Sequence, residues 1–344
     1  NHYFFTHIFI FSLLLSLRWG IFLAWIYIIY FTLRLFLTFR KSLFYLLYDT
    51  IMWEIDQKTL QRFLEKNWNW IRVFDSGKPG KTLWIIACTH GNEPIWLQII
   101  DWLINEIKIS EQISYWKIIC IIWNPKAAEI NKLSIDKDMN RARDQENTEI
   151  HDEIRKKELM PYLHQCDGVI DLHSTSSPSD IMVLPLSKNS ATQEIVSQLD
   201  SNYILENIDN QTRWISLSEY HAKIHKNNIS IVIECWRHWD HSYQKIVQEN
   251  TKKILNYFFD LELITNQQTI FPEIYYLFYV YSAKTFDLSY LYSAEPKSFD
   301  SIQKWEIICK NNTDVVSPQD AYIIMPSKTV DQIWSELFYL AYKK

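Results

Sequence analysis

At 344 residues the chain is long enough for one large α/β domain and a smaller one. Its net charge of −5, with no basic block, argues against a nucleic-acid partner. The five cysteines (Cys88, Cys120, Cys166, Cys235, Cys309) are scattered without a C-x-x-C pair, which reads as reduced, mostly buried thiols of a cytoplasmic protein.

Residues 1–51 stand apart. Phe4 to Phe39 is almost wholly apolar, carries Arg18 and Arg34, and has no acidic residue before Asp49. One reading is two short membrane spans, Phe4–Leu17 and Ile21–Phe39, with Arg40 and Lys41 as a cytoplasmic anchor. The other is translated sequence upstream of a start at Met52, since AT-rich DNA yields Phe, Ile, Leu, Tyr and Lys in any frame. The segment is left out of the fold on either reading. A membrane partner is expected only if it is genuine.

From Met52 the pattern is regular. An amphipathic helix is expected over Ile55–Lys66 and a strand over Ile71–Phe74, followed by a Gly77-Lys78-Pro79-Gly80 turn. Apolar runs at Leu83–Ala87, Trp116–Trp123, Val169–Leu172 and Ile229–Ile233 read as buried strands. Helical patterns cover Ile95–Ile107, Thr148–Leu163, Ser190–Leu199, Ser216–Lys226 and Tyr243–Phe259. This alternation predicts an α/β fold with a mostly parallel, doubly wound sheet over residues 52–265. After Asn266 come short β-rich pieces: Tyr275–Tyr281, Thr285–Leu288, Glu306–Cys309, Ala321–Met325 and Leu337–Ala341. They predict a small all-β domain over 266–344.

The strand ends carry the chemistry. Open α/β sheets bind ligands beyond the C-terminal ends of their strands. His90 and Glu93, three apart, stand where the second strand gives way to a helix. His173 ends another strand and Glu234 a third. Two imidazoles and a carboxylate can supply the three protein ligands of a catalytic zinc, with the second carboxylate left as general base. Asp171, two residues before His173 on the same strand face, is placed to orient an imidazole. In Asp138-Met139-Asn140-Arg141, the guanidinium fork suits a carboxylate and the amide adds a donor. The pairs His238/His241 and His221/His225 lack a third ligand and read as surface residues.

In order and spacing, H-G-N-E-P, N-P-x-A followed by D-x-D-M-N-R, D-L-H-S-T and I-E-C resemble the succinylglutamate desuccinylase/aspartoacylase family, relatives of the zinc carboxypeptidases. The resemblance spans about residues 80 to 344. It implies a sheet of zinc-carboxypeptidase type, a C-terminal β-barrel that narrows the approach, and one Zn2+ per chain on His90, Glu93 and His173. It also implies Glu234 as base, Asn140 and Arg141 on the substrate carboxylate, and Tyr322 as a C-terminal residue sent into the site. Where the family often has an Arg that polarises the scissile carbonyl, this chain has Leu133, with Lys132 beside it as the candidate replacement. The implied activity is zinc-dependent hydrolysis of the amide bond of a small acylated amino acid. A metallocarboxypeptidase acting on short peptides and an inactive, membrane-anchored carboxylate-binding protein are the alternatives.

One compositional anomaly remains. The chain has 15 Trp and 5 Gly, where about 7% Gly is usual. Trp96, Trp123, Trp236, Trp305 and Trp334 stand where the chain wants a Gly and where the family usually has one. This predicts that the source reads UGA as glycine; UGG codons at these positions would disprove it.

Overall fold

The computed structural model describes residues 58, 70–106, 116–140, 151–208, 215–238, 241–327, 330 and 335–344. The apolar segment 1–51 and, apart from Lys58, the helix expected over Ile55–Lys66 lie outside the described residues, as does Arg141. Among the described residues no helix is long and apolar enough to cross a membrane.

The first half of the chain supplies β1 (Ile71–Asp75), β2 (Thr82–Ala87), α1 (Leu97–Asn105), β3 (Lys117–Ile122) and α2 (Pro125–Glu129). Next come α3 (His151–Leu163), β4 (Gly168–Thr175), β5 (Met182–Pro185), α4 (Ser190–Val196), β6 (Tyr203–Glu206), α5 (Leu217–Ile224), β7 (Ile229–Arg237) and α6 (Gln244–Phe259). At the centre of the sheet β3, β2, β4 and β7 lie side by side and parallel, with β1 antiparallel on the outer edge. Continuous apolar runs suit strands covered on both faces. In β2, Leu83, Ile85 and Ala87 join the core beneath α1 and α6, whereas Trp84 and Ile86 join the core beneath α3 and α5. The doubly wound expectation is met there.

β5 and β6 were not expected, being only four residues each. β5 runs antiparallel to β7, β6 parallel to β5, and β8 (Glu273–Ser282) parallel to β6. The β-rich remainder consists of β9 (Ser289–Tyr290), β10 (Ser301–Ile302), β11 (Ile307–Asn311), β12 (Thr313–Val316), β13 (Ala321–Ile324) and β14 (Glu336–Lys343). β14, β13 and β10 extend the large sheet antiparallel from β8, and β12, β11 and β9 form a second one.

The strand expected over Thr285–Leu288 is absent. The Asn311 side chain accepts from the backbone of Lys284 and Thr285 and donates to the carbonyls of Thr285 and Asp287. These groups are thereby tied to one amide, and pairing begins only at Ser289. All five cysteines are buried and none is in a disulfide, and burial pushes the Cys120 and Cys309 thiols up to about 12.

The tryptophans divide by environment. Trp96 and Trp123 are fully buried core side chains. Trp305 is 70% exposed, with φ +69°, in a tight turn where its N–H donates to the Ser317 carbonyl. A left-handed backbone costs a β-carbon about 1–2 kcal/mol, and no burial of the indole offsets it. Trp305→Gly is therefore expected to raise stability by about 1 kcal/mol. A melting temperature that stays put or falls would reject the glycine reading at this site.

Candidate metal centre

The turn after β2 is shaped by a close approach. A Cβ on Gly91 would sit 2.1 Å from the Ala127 carbonyl carbon and 2.3 Å from the Ala128 nitrogen. Both contacts are backbone, so no rotamer change relieves them. α2 is fixed there because Asn124 caps it, accepting from the Ala127 N–H, with Pro125 at its first position. Gly91→Ala is expected to cost at least about 3 kcal/mol, the upper part of the usual overpacking range. An unfolding midpoint near that of the parent would contradict this packing.

His90, Glu93 and His173 converge. His90 Nδ1 lies 2.8 Å from Glu93 Oε1 and His173 Nδ1 lies 3.2 Å from Glu93 Oε2. One candidate ligand atom from each of the three falls within 4.8 Å of the others. The outer nitrogens face carboxylates: His90 Nε2 is 3.3 Å from Asp138 Oδ1, and His173 Nε2 is 3.1 Å from Asp171 Oδ1. Asp171 is itself held by the Thr89 and Ser218 hydroxyls. Carboxylates placed in this way fix ring orientation and raise ligand basicity. Asp171 was anticipated. Asp138 was not, although it lies in the D-x-D-M-N-R stretch that drew attention to its neighbours.

Glu234 reaches the same place through strand register. It is the cross-strand partner of His173 in the parallel β4–β7 pair, so both side chains lie on one face. With His90, His173 and Asn140 it lines a cavity whose remaining wall mixes aliphatic Leu184, Leu186, Ile208 and Val232 with polar groups that include Ser216 and Glu219. Asn140 is nearly buried; its Oδ1 accepts from the Leu217 N–H, and its own N–H donates to Asp138. The loop carrying Asp138 and Asn140 is anchored by Asp152, whose buried carboxylate accepts from the N–H groups of Ile135, Asp136 and Lys137 and from Asn124 Nδ2.

Lys132 is exposed, and neither it nor Tyr322 is in the cavity wall. The Tyr322 ring instead packs 5.1 Å from that of Tyr275. The C-terminal region contributes Met325, Glu336 and Tyr339, none of them anticipated. A register shift between Glu336 and Phe338 breaks the strand alternation, and the Tyr339 hydroxyl donates to Glu336 Oε2 at 2.8 Å. No signal in the sequence marks that shift.

The electrostatics suit a cation. Burial disfavours a charged His90, but Glu93 and Asp138 outweigh it and raise its pKa to about 9. Burial likewise opposes ionisation of Glu93, yet the two imidazoles hold its carboxyl well below the usual range. The Glu234 carboxyl is pushed up to about 7, first by burial and then by Glu93 and Asp171, against the pull of both histidines. Two imidazoles of raised basicity and a carboxylate held ionised between them form a donor set matching zinc chemistry.

The other histidines differ from their expected surface placement. His221 is fully buried because α5 packs it against the start of β4, where Nε2 lies 3.1 Å from the Cys166 carbonyl; burial lowers its pKa to about 4. His238 is half-buried, with Nδ1 2.8 Å from the Ser174 hydroxyl. Neither belongs to the metal-ligand group.

Residues 79–234 match the family described as the succinylglutamate desuccinylase/aspartoacylase catalytic domain. No curated protein matches the chain in sequence. Among solved structures, the fold is similar to succinylglutamate desuccinylase from Vibrio parahaemolyticus, with a TM-score of 0.64 at 13% identity over 79% of this chain and 86% of that one. It is also similar to the product-bound ectoine utilization protein EutE (DoeB) from Ruegeria pomeroyi, with a TM-score of 0.59 at 12% identity over 79% and 88%. Murine aminoacylase 3 gives a TM-score of 0.55 at 14% identity over 78% and 96%. At such identities the structural likeness speaks for the fold. Together with the sequence match over residues 79–234, it supports the succinylglutamate desuccinylase/aspartoacylase family for this part of the chain.

Proposed function

We propose that the chain is a zinc-dependent amidohydrolase that cleaves an N-acyl amino acid or a similar small carboxylate into a carboxylic acid and a free amine. The observation that carries this reading is the convergence of His90, Glu93 and His173, with Glu234 beside His173 in strand register. Those three residues would hold one Zn2+, which when bound supplies Lewis acidity and brings the pKa of water toward neutrality.

The chain's own groups do the rest. Glu234, half-buried in the cavity wall and raised toward neutral pKa, takes a proton from the attacking water and delivers it to the departing nitrogen. Asp138 and Asp171 hold the two imidazoles with Nδ1 turned toward Glu93. The Asn140 amide, fixed through Leu217, is the described member of the pair that grips the substrate carboxylate; Arg141 is its proposed companion. Lys132 and Tyr322 remain proposals without a place on the cavity wall. Met325, Glu336 and Tyr339 close that wall from the C-terminal side, which favours small acylated amino acids over peptides.

The test is a screen of zinc-loaded protein against N-acetyl and N-succinyl amino acids and short peptides, following release of free amine. Turnover of peptides alone would replace the deacylase reading with a carboxypeptidase one.

A further inference from the structure

A second cavity, of about 370 Å³, shares Leu186 and Glu219 with the catalytic one but none of the proposed metal ligands. Three lysines line it, Lys188 from the segment after β5 and Lys223 and Lys226 from the end of α5 and just beyond. Lysines from two separate elements thus line one concavity. The single carboxylate in the wall, Glu219, is engaged at the start of α5, where Oε2 accepts from the Ser216 N–H in a capping box.

A second observation also points to a ligand. Ser187 lines the same cavity, is 2% exposed, and its hydroxyl has no hydrogen-bond partner among the described residues. An unmatched buried hydroxyl is costly, and its natural complement beside clustered ammonium groups is an anionic oxygen.

The helix bearing Lys223 also reaches the catalytic cavity. The Leu217 N–H donates to Asn140 Oδ1, and the Ser218 hydroxyl donates to Asp171 Oδ2, the carboxylate that faces His173. We infer that this groove binds a small polyanion, phosphate- or carboxylate-bearing, and that its occupancy is transmitted to the substrate site through the first turn of α5. The second half rests on the hydrolase reading; the first does not.

The test is calorimetric titration of the full chain at low ionic strength, where surface charges are least screened, with inorganic phosphate in one arm and glutarate in the other. The arm that saturates identifies the anion chemistry. Binding at least tenfold tighter to the parent than to folded Lys223→Glu/Lys226→Glu protein is expected, with Ser187→Ala weakening it several-fold. Binding should persist in His90→Ala. Equal binding by the parent and the double variant would overturn the site. So would loss of binding in His90→Ala, which would place the anion at the metal centre instead. With saturating anion, the KM for an acyl substrate should shift at least twofold in the parent and not in the double variant; an unchanged KM overturns the coupling. The titration needs no turnover, so inactivity toward every acyl amino acid would sink the hydrolase reading and leave the groove to be decided by binding.

Discussion

Glu234→Gln is expected to reduce turnover by roughly 10² to 10⁴-fold, the usual contribution of a positioned general base, while zinc stays bound at one per chain. The amide keeps the size of the side chain beside His173 but cannot accept the proton. The ligand set His90, Glu93 and His173 is untouched, so elemental analysis and kcat should separate cleanly. The parent should also lose activity on the acid side as Glu234 becomes protonated. Burial places that transition near pH 7, and a bound cation moves it lower. The acid limb should vanish in the residual activity of the variant. A variant within tenfold of the parent would remove Glu234 from the mechanism.

His90→Ala is expected to produce the larger loss of metal. Removing an outer carboxylate partner typically costs 10–100-fold in affinity, so Asp138→Asn sets the scale and loss of the imidazole itself should exceed it. Competition with a chelator of known affinity measures both variants. Equal affinities for parent and His90→Ala would show that the ion sits elsewhere. The metal-free protein offers an independent check through linkage. His90 has a folded pKa raised to about 9 above an ordinary value of 6.5. Its contribution to stability is therefore complete below about 6.5 and is lost as pH rises through about 9. His90→Ala should flatten that part of the stability profile.

What the sequence revealed follows from what leaves a local trace. Runs such as Leu83–Ala87 and Ile229–Ile233 announce buried parallel strands because both faces must be apolar. Their ends carry His90, Glu93, His173 and Glu234, and the parallel register brings His173 and Glu234 together. β5 and β6 escaped because four residues are too few for periodicity to register. Thr285–Leu288 misled because its apolar and β-branched content was outweighed by one distant amide, Asn311. The expectation of Tyr322 on the cavity wall shows the same limit. Tyr339 stands there instead, on a strand whose register shift only the pairing with β8 reveals. His221 looked like a surface residue because helix spacing does not say which turn packs against the sheet.

The parallel pairing of β6 with β8 has a consequence for synthesis of the protein. Residues 203–206 can acquire their outer neighbour only after residues 273–276 have left the ribosome, and the last of the cavity wall waits for Glu336 and Tyr339. Until then a nascent chain would display β6 as a bare edge, ready to pair with a neighbour on the same polysome. A version cut back to residue 265 would keep that exposure permanently, and precipitation, rather than a smaller working enzyme, is its expected fate.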